Sequence, residues 1–254
     1  MKRILLALAA CLLLMPAGYA QRRDSVYTAS EQFRWQKLVA PVTLMGAGAI
    51  AAYAPFWRNG VDQPVKEWAA RIRGDRYIPI DDYIQFLPAA GYGIAAICGA
   101  GEHGFWEQLM VGVTAYALMF GTVQGVKYAT ALQRPNGRGN TFPSGHTATA
   151  FMGAELVRLE YGPWWGLAAY ALALPVAFLR VYNEWHWVSD LIAGAGLGIL
   201  TANAAYWLLP LERRLFRVDS AVPSRRGSPE VSAVPFCAPM PSGSCYGLTL
   251  TMAF

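Results

Sequence analysis

Charge is scarce in this sequence. Asp, Glu, Lys and Arg make up 15% of its 254 residues, against about 25% in ordinary soluble domains. Hydrophobic residues make up 55%, and a soluble chain of this length has too little interior to hide so much apolar surface. The composition therefore points to a chain whose solvent is lipid. Cysteine is also scarce. There are four, with no CxxC spacing, which leaves no zinc framework. Cys11 and Cys98 lie inside apolar runs and read as small hydrophobes. Cys237 and Cys245 lie in a Pro/Gly/Ser-rich tail, where they could pair only outside the cytoplasm. No basic run stands clear of the apolar segments, so nucleic acid is not an expected partner. The net charge of +5 fits Lys and Arg flanking membrane segments, or attraction to an anionic headgroup.

What is abundant is long apolar stretches. Residues 1–20 begin Met1-Lys2-Arg3, continue apolar, and end in small residues at Ala17-Gly18-Tyr19-Ala20. That is the layout of a signal peptide cleaved after Ala20; an uncleaved anchor and lipidation at Cys11 are the rivals. Residues 21–37 are polar. Six uncharged or nearly uncharged runs follow, at 38–57, 83–101, 108–126, 145–157, 163–179 and 191–211, the last closed by Pro210. They are too long and too unalternating for strands, and backbone in lipid must satisfy itself within the segment. Residues 58–82 read as an amphipathic, interfacial connector carrying Trp68. The expected fold is an all-α, multi-pass transmembrane helix bundle of about five to six spans with a flexible C-terminal tail. Its parts are a signal peptide or anchor (1–20), an N-terminal segment with the first apolar helix and connector (21–82), a catalytic bundle (83–211) and the tail (212–254). Within the tail, Tyr246, Leu248, Leu250, Met252 and Phe254 alternate with small or polar residues in a strand pattern.

Three short clusters lie at the ends of apolar runs. The first is Lys127, six residues, then Arg134-Pro135. The second is Pro143-Ser144-Gly145-His146. The third is Arg180, five residues, His186, three more, then Asp190. Lys127, Arg134 and Arg180 are three cations, and the planar fork of Arg matches phosphate oxygens. Ser144-Gly145 opens a helix whose amides and dipole favour an anion, and Gly145 lets the backbone approach it. His186 and Asp190, four apart, share a helix face, so the carboxylate can take the imidazole N–H and leave the other nitrogen to attack phosphorus. His146 is then free to protonate the leaving oxygen and later to activate water. The three cations meet the charge of a phosphoryl-transfer transition state. This set of roles needs no metal and no cofactor.

The three clusters resemble the signature of the type 2 phosphatidic acid phosphatase (PAP2) family, K-x6-RP, PSGH and R-x5-H-x3-D. Leu179 stands where that family often has Ser before the Arg of the third cluster. The resemblance covers about residues 83–211. It implies a helical fold, a phosphohistidine intermediate on His186, Asp190 as its partner and His146 as acid/base, with Lys127, Arg134, Ser144, Gly145 and Arg180 binding phosphate. It also implies a bacterial membrane lipid phosphatase. The candidate substrates are undecaprenyl diphosphate, lipid A, phosphatidylglycerol phosphate and phosphatidic acid, among which the sequence does not choose. The partners are then a phosphorylated lipid and the bilayer. The vanadium haloperoxidases share the superfamily and are one alternative, which the lipid-length runs disfavour; a non-catalytic membrane protein is another. Arg213, Arg214 and Arg217 after the last run read as cytoplasmic and would put the clusters on the periplasmic face.

Overall fold

The computed structural model describes residues 30–217 and, as backbone, two strands between 230 and 253. The signal-peptide reading of residues 1–20 and the lipidation reading of Cys11 lie outside the described residues.

Every regular element between 30 and 217 is a helix: α1 (Gln36–Tyr53), α2 (Pro55–Arg73), α3 (Asp81–Ile84), α4 (Leu87–Ile97), α5 (Phe105–Thr130), α6 (Gly145–Tyr161), α7 (Pro163–Tyr182) and α8 (Val188–Phe216). Local chemistry sets the starts. The Glu107 carboxylate accepts the Gly104 N–H before α5 at 2.9 Å, the Ser144 hydroxyl caps α6, and Pro163 opens α7 after Gly162 at φ +91°. α8 does not stop at Pro210 as the sequence suggests. Pro removes one hydrogen bond to the preceding turn, and the helix runs on to Phe216 because side chains on its last turns are held by the bundle, as described below.

By length and composition, α5, α7 and α8 can each cross a membrane, and α1 with α2 makes a fourth candidate, bent by 83° between them. The expected count was about five to six. The runs at 83–101 and 145–157 are helical, but α4 has 11 residues and α6 has 17. α6 is not a lipid-facing span in character. Most of it is buried, packed against α4, α7 and α8. The connector is helical too: α2 passes through a π-helical stretch at Arg58–Asp62 and rests Trp68 edge-on against Phe178 at 6.2 Å.

The packing of α6 on α8 decides where the site forms. A Cβ on Gly194 would stand 2.6 Å from the Ser144 carbonyl oxygen, and one on Gly198 would collide with that of Ala148. The two backbones touch, which only glycine permits. The contact brings the Ser144 N–H to the Asp190 carbonyl oxygen at 3.1 Å. Two of the three sequence clusters are thus joined through their main chains.

A second polar cluster closes the opposite end of the bundle. Arg213 on α8 pairs with Glu31 at 2.8 Å and with Glu107 at 2.6 Å, and Thr114 donates to Glu212. Glu160, fully buried, accepts from Tyr206 at 2.7 Å and from the N–H groups of Glu102 and His103 at 2.8 Å. Burial opposes charge on His103, but hydrogen bonds and the charges of Glu160 and Glu31 outweigh it and hold the imidazole up at about 10. These pairs tie the segment before α1 to α5, α6 and α8.

Beyond the bundle, Glu230–Met240 (β1) and Gly243–Ala253 (β2) form an antiparallel two-stranded hairpin, described here by itself. Of the alternating residues at the end of the chain, Tyr246, Leu248, Leu250 and Met252 fall on β2, and Phe254 lies outside the described residues. Cys237 stands opposite Tyr246 and Cys245 opposite Ala238, so the two cysteines are not register partners.

Overpacking a close helix contact costs about 1–3 kcal/mol. Gly194→Ala should therefore lower the melting temperature in detergent. Gly46→Ala, where an added Cβ meets nothing within 4 Å, should leave it unchanged or raise it. Equal melting temperatures for the two variants would refute the close contact.

Candidate active site

Lys127 ends α5, Ser144 to His146 start α6, Arg180 ends α7, and His186 and Asp190 start α8. Antiparallel helices bring all of these to one end. They surround a cavity of about 450 Å³ lined by Lys127, Arg134, Gly145, His146, Arg180 and His186, with Asp82, Trp185 and an apolar wall from α5. Six of the eight residues expected from the sequence thus line one cavity. The other two stand behind it. Asp190 is 1% exposed and backs His186. Ser144 is fully buried, and its hydroxyl accepts the Thr147 N–H and hydroxyl at 3.4 and 3.0 Å, so it caps α6 and shapes the turn.

The His186 side chain is positioned by Asp190. His186 Nδ1 lies 3.2 Å from Asp190 Oδ2. The same oxygen accepts the Trp187 N–H at 2.9 Å and the Thr141 hydroxyl. A carboxylate so held takes the Nδ1–H tautomer, leaving Nε2 with its lone pair. Burial pushes the His186 imidazole down to about 4, against the upward pull of Asp190, with Lys127 and Arg134 adding to the depression. A neutral imidazole is what a nucleophile needs.

The cations are fixed by backbone and by acids. Lys127 Nζ donates to the carbonyls of Asn140 and Thr141 at 2.8 and 3.1 Å. This pins the loop between α5 and α6 to the end of α5. The Arg134 guanidinium lies 5.1 Å from the Trp185 ring centroid, and its buried Nε has no hydrogen-bond partner among the described residues. A buried, unspent donor at a cavity wall is a place for an anion. Arg180 Nε pairs with Asp81 at 2.8 Å and its Nη1 with Asp82 at 3.3 Å. Asp82 also accepts from His146 Nε2 at 2.8 Å.

Sequence reasoning missed Asp81 and Asp82. They precede the second apolar run, and the legible signal was two adjacent carboxylates at a membrane boundary, where charge is expensive. It also missed Thr141. Trp185 lines the cavity, whereas Trp187 is buried beside it. It is 6% exposed, donates Nε1–H to the Gln133 carbonyl at 2.8 Å, and lies under Arg58 at 4.4 Å.

Among known proteins, residues 108–214 match the sequence model of the PAP2 superfamily. The chain is 36% identical over 157 residues to a lipid A 1-phosphatase of Porphyromonas gingivalis, a match covering 59% of this chain and 35% of that protein. This chain therefore spans about a third of that relative's length. Two solved structures are also similar. One is a transmembrane PAP2 type phosphatidylglycerolphosphate phosphatase from Bacillus subtilis, 19% identical, TM-score 0.47, covering 71% of this chain and 98% of that one. The other is Aquifex aeolicus LpxE, 21% identical, TM-score 0.42, covering 55% and 92%. The three clusters, from Lys127 to Asp190, all fall inside the segment that matches the PAP2 superfamily model.

Proposed function

We propose that this protein is a membrane lipid phosphatase that removes a phosphoryl group through a phosphohistidine on His186. The observation that carries the lipid reading is the shape of the cavity. Its cationic floor shares one space with Met119, Phe120 and Val123 of α5, and Phe120 is 62% exposed on a membrane-spanning helix. A phosphate can sit among Lys127, Arg134, Arg180 and the Gly145 amide while its apolar chain leaves along α5 into lipid.

In the first step His186 Nε2 attacks phosphorus, the bond to the leaving oxygen breaks, and that oxygen takes a proton from His146. His186 is then a phosphohistidine, and its Nδ1–H stays on Asp190. In the second step water attacks phosphorus, gives its proton to His146, and releases phosphate and free His186. The charge on the equatorial oxygens is met by the cations throughout. The similarity to a lipid A 1-phosphatase puts lipid A first among the four candidate lipids. Phosphatidylglycerol phosphate, phosphatidic acid and undecaprenyl diphosphate follow.

The site is assigned to the periplasmic face. Arg213, Arg214 and Arg217 at the far end of α8 support that side by the positive-inside tendency. A cysteine placed at Asn136, exposed in the loop before α6, should react with a membrane-impermeant maleimide in intact cells. Labelling only after lysis would reverse the assignment.

Phosphate release from the four lipids in detergent is the central test. Release from one or more, abolished in His186→Ala and indifferent to EDTA, is the expected result. A His186→Ala variant as active as the parent would end the nucleophile assignment. The pH profile supplies a separate check. kcat/KM covers the steps up to phosphohistidine formation, which need His186 neutral. A nucleophile pushed down to about 4 stays neutral through pH 5 and above, so kcat/KM should show no acid limb between pH 5 and 7. A limb centred near 6.5, the ordinary histidine value, would contradict the buried imidazole.

A further inference from the structure

The site contains a second histidine–carboxylate pair that the three signature clusters do not include. His146 Nε2 lies 2.8 Å from Asp82 Oδ1. Its Nδ1 makes no hydrogen bond among the described residues, and His146 lines the cavity. Asp82 comes from α3, 64 residues earlier, and its side chain is 46% exposed. It is held at the cavity mouth by a neighbour: Asp81, fully buried, grips Arg180 Nε at 2.8 Å and receives Asn183 Nδ2 at 3.4 Å. Asn183 in turn donates to the Ile78 carbonyl at 2.8 Å and accepts the Ile78 N–H at 3.2 Å. The segment carrying Asp82 is thereby clamped to the end of α7, close to where α6 begins.

We propose that Asp82 is the positioning residue of His146, holding its Nε2–H so that Nδ1 faces the leaving-group oxygen. This rests on the phosphatase reading of the same site. The proton balance is simple. His146 Nδ1–H passes to the leaving oxygen as the P–O bond breaks and the bond from His186 Nε2 to phosphorus forms, while the Nε2–H of His146 stays hydrogen-bonded to Asp82. In hydrolysis the water proton returns to Nδ1. Asp82 does for the acid/base what Asp190 does for the nucleophile, fixing tautomer and ring angle. The pairs differ in burial: Asp190 is sealed, whereas Asp82 faces the cavity.

A leaving group of low basicity departs without a proton, so only a substrate with a basic leaving group needs a well-aimed His146. The test compares dodecyl phosphate, an alkoxide leaving group, with 4-nitrophenyl phosphate, a stable phenolate, in wild type and Asp82→Asn. General-acid catalysis is worth about 10²–10⁴-fold. The variant should lose about 10- to 100-fold in kcat/KM on dodecyl phosphate and less than about threefold on 4-nitrophenyl phosphate, with its melting temperature unchanged. Equal losses on both substrates would overturn the proposal and leave Asp82 a support for Arg180. A gain in kcat/KM on both, with tighter inhibition by inorganic phosphate, would also overturn it, because the carboxylate would then be a plug in the phosphate cradle.

A measurement independent of turnover separates this proposal from the function it rests on. The chain holds three histidines, His103, His146 and His186, so imidazole ¹⁵N signals can be assigned by single substitutions. Asp82→Asn should shift the His146 signals and leave those of His103 in place. Unshifted His146 signals would overturn the pairing whatever the activity. Shifted signals in a protein that cleaves neither phosphate would uphold the pairing and reject the phosphatase reading instead.

Discussion

The site depends on a contact between two backbones. α6 and α8 approach until the Gly194 position touches the Ser144 carbonyl and the Gly198 position touches that of Ala148. No side chain fits between them, so the pair has one way to pack. The Ser144 N–H to Asp190 carbonyl bond follows from that approach. Through it the amide end of α6, where Gly145 lines the cavity, is registered against the helix start that carries Asp190 and positions His186. α5 and α7 then bring Lys127 and Arg180 to the same end because they run antiparallel to α6 and α8.

The opposite end of the bundle shows why that approach can persist in a chain so poor in charge. Glu31, Glu107 and Glu160 pair with His103 and Arg213 where α5, α6 and α8 meet. Removing one member would strand the others without water. The same end overrides the helix-ending tendency of Pro210 and carries α8 to Phe216. Two polar clusters therefore bracket the apolar middle, one with its donors spent on carboxylates and one with donors left open towards a cavity.

The grouping of the candidate site was legible in the sequence because its spacings are local. A spacing of four from His186 to Asp190 is about one helix turn, and a Ser-Gly pair before an apolar run is a helix start. Lys127, Arg134 and Arg180 were legible as charges at the ends of apolar runs. Asp81 and Asp82 were not, since nothing local says that α3 folds back over the end of α7, about 100 residues away. Thr141 was missed for the same kind of reason: its role is visible only once the loop before α6 sits over Asp190. Ser144 was expected to bind phosphate, and in the structure its hydroxyl is taken up by Thr147 at the start of α6. The number of spans was less legible, because apolar composition cannot distinguish a helix facing lipid from one, like α6, sheathed by its neighbours. The hairpin register of the tail lies beyond any one-strand pattern.

A cradle fixed by main-chain contact has a thermodynamic side. Lys127 is already tethered to two carbonyls, the α6 amides are already aimed, and Arg180 is already braced by Asp81. Little conformational freedom remains to be lost when an anion arrives, so the entropy cost of binding is small for any tetrahedral oxyanion. Such a pocket recognises the phosphoryl group more than the molecule carrying it. On the phosphatase reading proposed above, the freed phosphate is itself a ligand, and turnover is tied to the phosphate level of the compartment the cavity faces.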